Sequence, residues 1–459
     1  MEFIDREPEL EQLAKLWETG TFQFIPITGR RSVGKTRLMR EFFEGKRHVY
    51  FYVQEGRSPD ILSLFTATVE NGLGIRLARG SGWREVLEAV FKAAEKERLI
   101  FVIDEFQRLE AVYPGFTSLL QSVIDENKDR TKVFMVAMGS AIGMLEQMFA
   151  GSAPLYNRQT GRMRLGPLDL RSSSMFMKQR SREEQFTIYS AFGGVPRYLE
   201  EVSKRPGLKF EELAKELVAS PASPFFEEPK LIFGGYNRAS SAYFSILAAI
   251  SKGKRTLKEI SDVAGVPHSE IDPYLKVMTS EMFILRKDMP LLSDNGVGKI
   301  TRYRFDDKML QFWFRFVFPV LSELSLGING PFIESCKADI KQISSRVAEE
   351  EVLLHLVREG ENKKMPIGFD RIGQWWNRQG DEIDVIGIEE KTKSALFCEC
   401  KWTDGPIDPS VLETLKKKAE LFPWNAGRRK DIFAVFSKSG FKGNWPKDVL
   451  RYTLDDLFE

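Results

Sequence analysis

The sequence predicts an α/β protein built from several domains, and three observations support this interpretation. From residue 1 to about 215, short apolar runs alternate with longer amphipathic stretches, which is typical of a parallel sheet with crossover helices. After residue 342 the pattern predicts the order helix, three strands, helix, strand. The length of 459 residues agrees with about three domains of roughly 150 residues each.

Domain boundaries follow from turn-rich and aromatic segments. Two prolines within Ser220–Pro224 cannot continue a helix, so this segment predicts a linker. The predicted parts are an α/β domain with a helical lid (1–215), a winged helix-turn-helix domain (225–295), an aromatic-rich connecting segment (300–341) and a second α/β domain (342–459).

Composition limits the class of protein and its location. The formal net charge of +2 gives no strong attraction for nucleic acid from the whole chain, although a local basic face is compatible with it. The three cysteines are too few for a disulfide framework, which predicts reduced thiols. Because the N-terminus has no signal-peptide pattern and no apolar run reaches membrane-spanning length, we expect a cytoplasmic protein without a membrane partner.

A complete phosphate-binding motif follows the first apolar strand. The segment Gly29-Arg30-Arg31-Ser32-Val33-Gly34-Lys35-Thr36 fits the P-loop pattern G-x-x-x-x-G-K-T, and an amphipathic helix begins near Arg37. The glycines let backbone N–H groups turn toward phosphates, Lys35 reaches the β and γ oxygens, and the Thr36 hydroxyl is a Mg²⁺ ligand. The sequence therefore predicts an ATP and Mg²⁺ site formed by Gly29, Ser32, Val33, Gly34, Lys35, Thr36 and Arg37.

A second motif supports the same site. The apolar run Leu99–Ile103 leads directly into Asp104 and Glu105, as in the metal-binding strand of P-loop enzymes. Asp104 can hold Mg²⁺ through its water shell, and Glu105 can orient and polarise the attacking water. Together the two motifs predict an ATPase.

The first part of the chain resembles the archaeal ATPase family, within the AAA-related, STAND-like group of P-loop proteins. The resemblance covers residues 2–205 and rests on both motifs and on the segments Phe3–Glu7, Asp104–Gln107, Gly139-Ser140 and Gly193–Tyr198. It implies an AAA-like fold with a lid. It also implies that Ile4 to Arg6 pack near the adenine, that Ser140 is a sensor near the γ-phosphate, and that Pro196 and Arg197 form the sensor in the lid.

The segment Leu155–Arg162 also resembles the family, which commonly carries several arginines there. Arg158 or Arg162 is a candidate arginine finger acting on developing phosphate charge. An arginine with a purely structural role explains the same pattern, because the sequence does not show which protomer's nucleotide it faces. A finger acting between protomers would require a homo-oligomer.

The middle of the chain predicts a winged helix. Thr256 with Glu259 fits a capping box, Gly265 supplies a turn, and Ile271–Thr279 forms the next helix before the apolar strand Met282–Leu285. Basic residues only slightly outnumber acidic ones here, so DNA binding and a structural or protein-contacting role both remain open. The aromatic cluster Phe312–Phe316 is interpreted as core packing.

The C-terminal part carries Asp384, Glu399 and Lys401 on two adjacent predicted strands. Alternation of side chains puts Glu399 and Lys401 on the face that meets Asp384. Two carboxylates can bind Mg²⁺ or Mn²⁺ and activate water, while the lysine steadies the nucleophile or phosphate charge.

This arrangement resembles the PD-(D/E)XK nuclease superfamily, which has a restriction-endonuclease-like fold, over about residues 342–440. The same region, with the aromatic cluster, resembles a domain often fused to these archaeal ATPases. The superfamily's helical glutamate would correspond to Glu350, with Glu349 as the alternative, and it would join the metal ligands. Ile383 stands where the superfamily motif often has proline before Asp384.

The sequence thus predicts a protein that binds and hydrolyses ATP, and whose nucleotide state controls a winged helix and a nuclease-like domain acting on DNA or RNA. The alternative is a non-cleaving STAND-like regulator or DNA-binding switch, in which the nuclease-like domain is inactive.

Overall fold

The computed structural model of the chain describes residues 4–223, 225–233, 240–293 and 301–459. Phe3 and Pro224, which contributed to the predictions above, lie outside these residues. The chain divides into two compact units, each with its own five-stranded sheet. The first unit contains the described residues up to Pro167 with Val195–Arg197 and Ser280–Phe283, and the second contains Leu168–Gly194, Tyr198–Thr279 and Ile284–Glu459.

The sheet of the first unit is parallel and confirms the four predicted apolar strands. Its strands are β1 (Gln23–Thr28), β2 (His48–Tyr52), β3 (Leu99–Asp104), β4 (Val133–Gly139) and β5 (Met163–Arg164). The strand order is β2-β3-β4-β1-β5. It places the end of β4 between the end of β1, which leads into the phosphate-binding loop, and the end of β3 at Asp104.

Helices cover both faces of this sheet, which explains why β1, β3 and β4 are buried along their whole length. The helices are α1 (Glu7–Glu18), α2 (Lys35–Phe43), α3 (Ser58–Leu73), α4 (Trp83–Ala93), α5 (Leu109–Val112), α6 (Phe116–Asn127) and α7 (Ile142–Gln147). Side chains alternate along β3: Phe101 packs with α3, α4 and α6, whereas Val102 packs with α1 and α2.

The second unit begins with short helices. They are α8 (Leu170–Ser174), α9 (Arg182–Phe192), α10 (Pro196–Ser203), whose first two residues belong to the first unit, α11 (Phe210–Val218) and α12 (Glu228–Phe233). Residues 220–223 of the predicted linker form a bend and turn after α11, and the chain on both sides of the linker belongs to the second unit. The predicted domain end at residue 215 therefore does not coincide with the boundary of a compact unit.

Three helices and a two-stranded antiparallel sheet follow. They are α13 (Ser240–Ser251), α14 (Leu257–Ala264), α15 (Ile271–Lys276), β6 (Leu285–Asp288) and β7 (Arg302–Phe305). The predicted capping box of Thr256 and Glu259 is present at the start of α14. The strand predicted from Met282 begins only at Leu285, because Phe283 has a φ of 52°, a left-handed conformation that a strand does not accommodate.

The C-terminal sheet has the order β12-β11-β10-β9-β8. Its strands are β8 (Arg371–Trp376), β9 (Glu382–Glu389), β10 (Ser394–Lys401), β11 (Lys430–Ser437) and β12 (Leu450–Thr453). β9 pairs antiparallel with both β8 and β10, and β11 pairs parallel with both β10 and β12. The strands β8 to β11 and the helix before β11 occur in the order that the sequence predicts, and β12 was not predicted.

One of the remaining helices runs across a predicted domain boundary. They are α16 (Lys308–Phe312), α17 (Leu321–Ser325), α18 (Gly330–Glu361) and α19 (Ser410–Glu420). Because α18 is continuous, the predicted domain start at residue 342 falls inside a helix. The aromatic cluster Phe312–Phe316 lies in the core of the second unit, with Trp313 fully buried, as predicted. In the part of the chain that the structure describes, no helix has the length and apolar character needed to cross a membrane.

Candidate functional site

The phosphate-binding loop connects β1 to α2 and has the backbone shape that a cradle for phosphates requires. A Cβ atom at Gly29 would lie 2.5 Å from the backbone oxygen of Leu165, so only glycine fits there. Ser32 and Gly34 both have positive φ angles, of 65° and 103°. The helix α2 begins immediately after this loop, at Lys35, so its N-terminal N–H groups face the cradle.

The Lys35 ammonium lies inside the loop. Its Nζ donates hydrogen bonds to the backbone oxygens of Gly29, at 2.6 Å, and of Arg30, at 3.0 Å. Burial lowers the pKa of Lys35, and the negative charges of Glu105 and Asp104 act in the opposite direction. The cation is therefore positioned where the β and γ phosphates of a nucleotide would lie against the loop.

Asp104 receives hydrogen bonds from two hydroxyl groups. Its Oδ2 accepts from Thr36 Oγ1 at 3.1 Å and from the Tyr50 hydroxyl at 2.5 Å, while its Oδ1 accepts from the Glu105 backbone N–H at 2.9 Å. Burial and the hydrogen bond to Asp104 raise the pKa of Tyr50, so the phenol stays protonated. Tyr50 is not evident from the sequence, because its approach to Asp104 depends on the pairing of β2 with β3.

Glu105 is held by two further neutral donors. The Ser140 hydroxyl donates to both of its carboxylate oxygens at 2.9 Å, and Gln107 Nε2 donates to Oε2 at 2.5 Å. Ser140 reaches Glu105 because it follows β4, the neighbour of β3 in the sheet. Gln107 is buried and was not predicted as a site residue, although it belongs to the motif Asp104–Gln107.

The residues predicted around the adenine and in the lid belong to the same unit. Arg6 donates to the backbone oxygens of Gly166 at 2.6 Å and of Val33, in the loop, at 3.4 Å. Ile4 precedes it and is half-buried. A Cβ atom at Gly34 would lie 3.9 Å from Pro196, so Pro196 is next to the loop. Two other predicted residues of this unit lie in first helical turns: Arg197 follows Pro196 in α10, and Arg37 lies in α2.

Arg158 forms an ion pair within its own unit. Its Nη2 lies 2.9 Å from Asp125 Oδ2, and its hydrogen bond with Asp125 lowers the pKa of that carboxyl. This pair agrees with a structural role for Arg158. Arg162, the other candidate finger, is exposed.

In the second unit, the strand register brings Asp384 and Glu399 to the same place. Val385 on β9 pairs with Cys398 on β10. Continuing this antiparallel register by one residue puts Asp384 opposite Glu399, on the same face of the sheet. Lys401 follows on that face, two residues beyond Glu399.

Two ammonium groups bind Glu399, whose residue is only 4% exposed. Lys401 Nζ lies 2.7 Å from Oε1, and Lys418 Nζ, from the last turn of α19, lies 2.9 Å from Oε2. Lys401 was predicted. Lys418 was missed because it is distant in sequence and approaches only through the packing of α19 on the sheet.

Asp384 lies near two other carboxylates, those of Glu349 and Glu399. Its Oδ2 accepts a hydrogen bond from the backbone N–H of Cys400 at 2.7 Å. Burial, followed by the charges of Glu349 and Glu399, raises the pKa of Asp384 well above its usual range. A bound cation would relieve this repulsion between carboxylates.

The helical glutamate near Asp384 is Glu349, and this corrects the assignment of Glu350. The Glu350 carboxylate is bound instead by Arg304 and by Lys308, the latter at 3.4 Å. Successive residues of a helix point about 100° apart, so the two side chains of α18 face different surroundings. Among the described residues, no group of three or more His, Cys, Asp or Glu is arranged as a metal site, so the predicted set of Glu350, Asp384 and Glu399 is not assembled.

The first site fits Mg-ATP by its own geometry. The loop leaves no room for a side chain at Gly29, Lys35 is directed into it, and Thr36 and Asp104 bring two oxygen ligands together beside Glu105. Bound Mg²⁺ would neutralise phosphate charge. The fold and this site define an ATPase of the P-loop class.

The comparisons with known proteins identify the family. Residues 3–202 match the family described as an ATPase domain predominantly from Archaea, and residues 313–419 match one described as archaeal and bacterial proteins of unknown function. An uncharacterised protein of Methanocaldococcus jannaschii is 34% identical over 403 residues, covering 88% of each chain. The chain belongs to this archaeal ATPase family, as the resemblance of residues 2–205 implied.

Two further relatives agree with this assignment. An uncharacterised ATP-binding protein of Methanocaldococcus jannaschii is 42% identical over 45 residues, which cover 10% of this chain and 76% of that protein. The Walker-type ATPase of Pyrococcus abyssi superposes with a TM-score of 0.54 at 20% identity, covering 68% of this chain and 96% of that one. The latter similarity concerns the fold.

Proposed function

We propose that the chain hydrolyses Mg-ATP at the first site and that its nucleotide state controls a metal-dependent action of the second site on DNA or RNA. The observation that carries the ATPase part is the position of Glu105. Its carboxylate is next to Asp104 and accepts hydrogen bonds from the neutral donors Ser140 and Gln107. A carboxylate placed beside the metal ligand in this way can accept a proton from an attacking water.

Each residue then has a defined role in hydrolysis. The loop N–H groups and Lys35 bind the phosphates and hold developing charge on the γ-phosphate. Thr36 and Asp104 hold the divalent ion, directly or through water. Glu105 orients a water molecule and accepts its proton, while Ser140 and Gln107 fix the direction of the carboxylate.

The second part of the proposal is supported by the order of elements around Asp384 and Glu399. One long helix, three antiparallel strands, a helix and a parallel strand follow each other as in the PD-(D/E)XK arrangement. Mg²⁺ in enzymes that act on phosphates is commonly held by one or two carboxylates, with waters and substrate oxygens completing its shell. Asp384 and Glu399 are sufficient for such a site.

The helices α13 to α15 and the strands β6 and β7 support the winged-helix part of the proposal. Three helices followed by an antiparallel pair of strands is the order of that fold. We also propose that this winged helix contacts nucleic acid. The proposal further includes a cytoplasmic location and a homo-oligomer in which Arg162 faces the nucleotide of a neighbouring protomer.

One observation favours the alternative, a regulator that binds but does not cleave. Lys401 and Lys418 both bind Glu399 and compensate its charge, so a metal ion must compete with two cations for this ligand. A nuclease-like domain whose carboxylate is permanently paired would bind nucleic acid without hydrolysing it.

The test is cleavage of single-stranded DNA, duplex DNA and RNA by the full chain with Mg²⁺ or Mn²⁺, with and without ATP. We expect cleavage that Glu399→Gln removes. The matched control is Glu413→Gln, which changes an exposed glutamate that is also paired with a lysine. Cleavage that persists in Glu399→Gln would contradict the assignment, and binding without any cleavage would favour the regulator.

A further inference from the structure

The second unit also contains a small pocket lined with arginines. Arg255, Arg302, Arg304 and Arg346 line it together with the carboxylates of Asp288, Glu349 and Glu350. Its volume is about 50 Å³. A cavity needs roughly 10–15 Å³ for each water, so this one holds a few waters or a group the size of a phosphate.

Two of the four guanidinium groups are already engaged. Arg302 Nη1 lies 2.8 Å from Glu382 Oε2, and its guanidinium stacks on the Trp376 ring at 4.4 Å. Arg304 pairs with Asp288 at 2.5 Å. These two arginines therefore have partners within the fold.

Arg255 and Arg346 differ from them. Within the described part of the chain, neither guanidinium has a carboxylate or another acceptor at hydrogen-bond or ion-pair distance. Arg346 lies against the chain at Gly253, where a Cβ atom would be 3.1 Å from its Nη2. Gly253, with a φ of 89°, thus gives the guanidinium the space to lie there.

The carboxylates of the pocket do not compensate both charges. Of the three that line it, Asp288 and Glu350 already form ion pairs with another arginine, which leaves Glu349 as the carboxylate facing two guanidinium groups. Burial and the charge of Arg255 lower the pKa of Arg346. Two like charges that share one carboxylate repel each other, and an anion in the pocket would offset that repulsion.

We propose that Arg255 and Arg346 bind a phosphate group, and that this phosphate belongs to the backbone of a nucleic acid whose next linkage lies at Asp384 and Glu399. Glu349 connects the two places, because it lines the pocket and also acts electrostatically on Asp384. The proposal rests on the proposed function for its nucleic-acid source. A free phosphate or nucleotide has the same recognition chemistry, and a separate binding experiment with inorganic phosphate distinguishes it from nucleic acid.

The test is binding of labelled single-stranded and duplex oligonucleotides to the full chain, measured by fluorescence anisotropy at several salt concentrations. The double variant Arg255→Gln/Arg346→Gln should bind at least about tenfold more weakly and should lower the slope of log K against log[salt] by about one for each lost phosphate contact. Arg371→Gln, which changes a paired arginine on β8 of the same unit, should bind within about twofold of wild type.

The folding of the variants and the source of the bound phosphate need separate controls. An unchanged ATP hydrolysis rate and melting temperature show that the variant is folded, and the single variant Arg255→Gln carries the test if the double variant is unstable. The inference is overturned if the double variant binds the oligonucleotides as wild type does, even when cleavage is intact, in which case the proposed function stands.

Binding of inorganic phosphate distinguishes a small phosphate ligand from the phosphate of a nucleic acid. If it raises the melting temperature of wild type but not of the double variant, and no oligonucleotide binds, the pocket takes a small phosphate and the nucleic-acid source is overturned. If Glu399→Gln binds oligonucleotide as wild type does but does not cleave it, binding at the pocket and cleavage are separate properties, as the inference requires.

Discussion

The two sites of this protein hold their carboxylates in opposite ways. In the first unit, Asp104 and Glu105 accept hydrogen bonds from neutral hydroxyl, amide and backbone N–H groups. In the second unit, Glu399 is bound by the two cations Lys401 and Lys418, and Asp384 accepts a hydrogen bond from a backbone N–H group. Neutral donors leave the full negative charge for Mg²⁺, whereas bound lysines compensate it.

This difference separates a site that is ready for a divalent ion from one that must rearrange its ion pairs first. Buried ion pairs are retained only when their geometry is good, and removal of one partner leaves an uncompensated charge. We therefore expect ATP hydrolysis at the first site to depend on Lys35. At the second site we expect metal binding to depend on pH.

The largest effect should come from Lys35→Ala. Loss of the buried cation leaves the β and γ phosphates without their point charge, so ATP turnover should fall by at least about 10³-fold. Steady-state hydrolysis with saturating Mg-ATP measures this. Lys132→Ala, an exposed lysine of the same unit, is the control and should behave as wild type. An unchanged rate in Lys35→Ala would remove the basis of the comparison.

Asp384→Asn should weaken Mn²⁺ binding at the second site by roughly 10–100-fold while ATP hydrolysis continues. Because the pKa of Asp384 is raised, a proton competes with the metal, so wild-type Mn²⁺ affinity should increase as pH rises and the carboxyl ionises. Isothermal titration of the full chain between pH 6 and pH 8.5 checks this, and affinity independent of pH would contradict it.

A smaller effect should come from Gln107→Leu. The substitution removes one donor from Glu105 but leaves the carboxylate and Ser140, so kcat should fall by about tenfold with little change in KM. Gln107→Asn offers a shorter amide and should recover part of the rate. A large rise in KM with unchanged kcat would show that Gln107 acts in binding and does not position the base.

The smallest effect concerns Glu351, which is buried outside both sites. Burial raises its pKa to about 7, with Lys308, Glu350, Tyr189 and Asp169 also acting on it. The folded state therefore binds this proton more tightly than the unfolded chain, so stability is lost as pH rises from the unfolded value toward 7. Glu351→Gln should reduce that loss by about 1–3 kcal/mol in urea unfolding at pH 8 relative to pH 5. Equal pH dependence in both proteins would refute this.

The sequence predicted the parts of both sites that follow directly from a strand and its end. The P-loop, Asp104, Glu105 and the pair of Asp384 with Glu399 depend on local spacing and on strand alternation, which are readable from a single chain. The same holds for the strands β1 to β4 of the first sheet and for the succession of β8 to β11 along the chain.

The missed residues approach from elements that are distant in sequence. Tyr50 depends on the neighbour relation of β2 and β3, and Lys418 on the packing of α19, neither of which periodicity determines. The choice between Glu349 and Glu350 depends on which side of α18 meets the sheet, because both residues precede the same apolar positions. The strand expected from Met282 was displaced by the left-handed backbone at Phe283.

The most direct test of the two-site account compares Glu105→Gln with Glu399→Gln in the same two assays. Glutamine keeps the size of each side chain but removes its charge. The account predicts that Glu105→Gln retains ATP binding and loses hydrolysis by about 10²-fold or more, with DNA or RNA binding intact, whereas Glu399→Gln hydrolyses ATP at the wild-type rate and does not cleave nucleic acid. Wild-type ATP hydrolysis by Glu105→Gln, or its loss in Glu399→Gln, would contradict it.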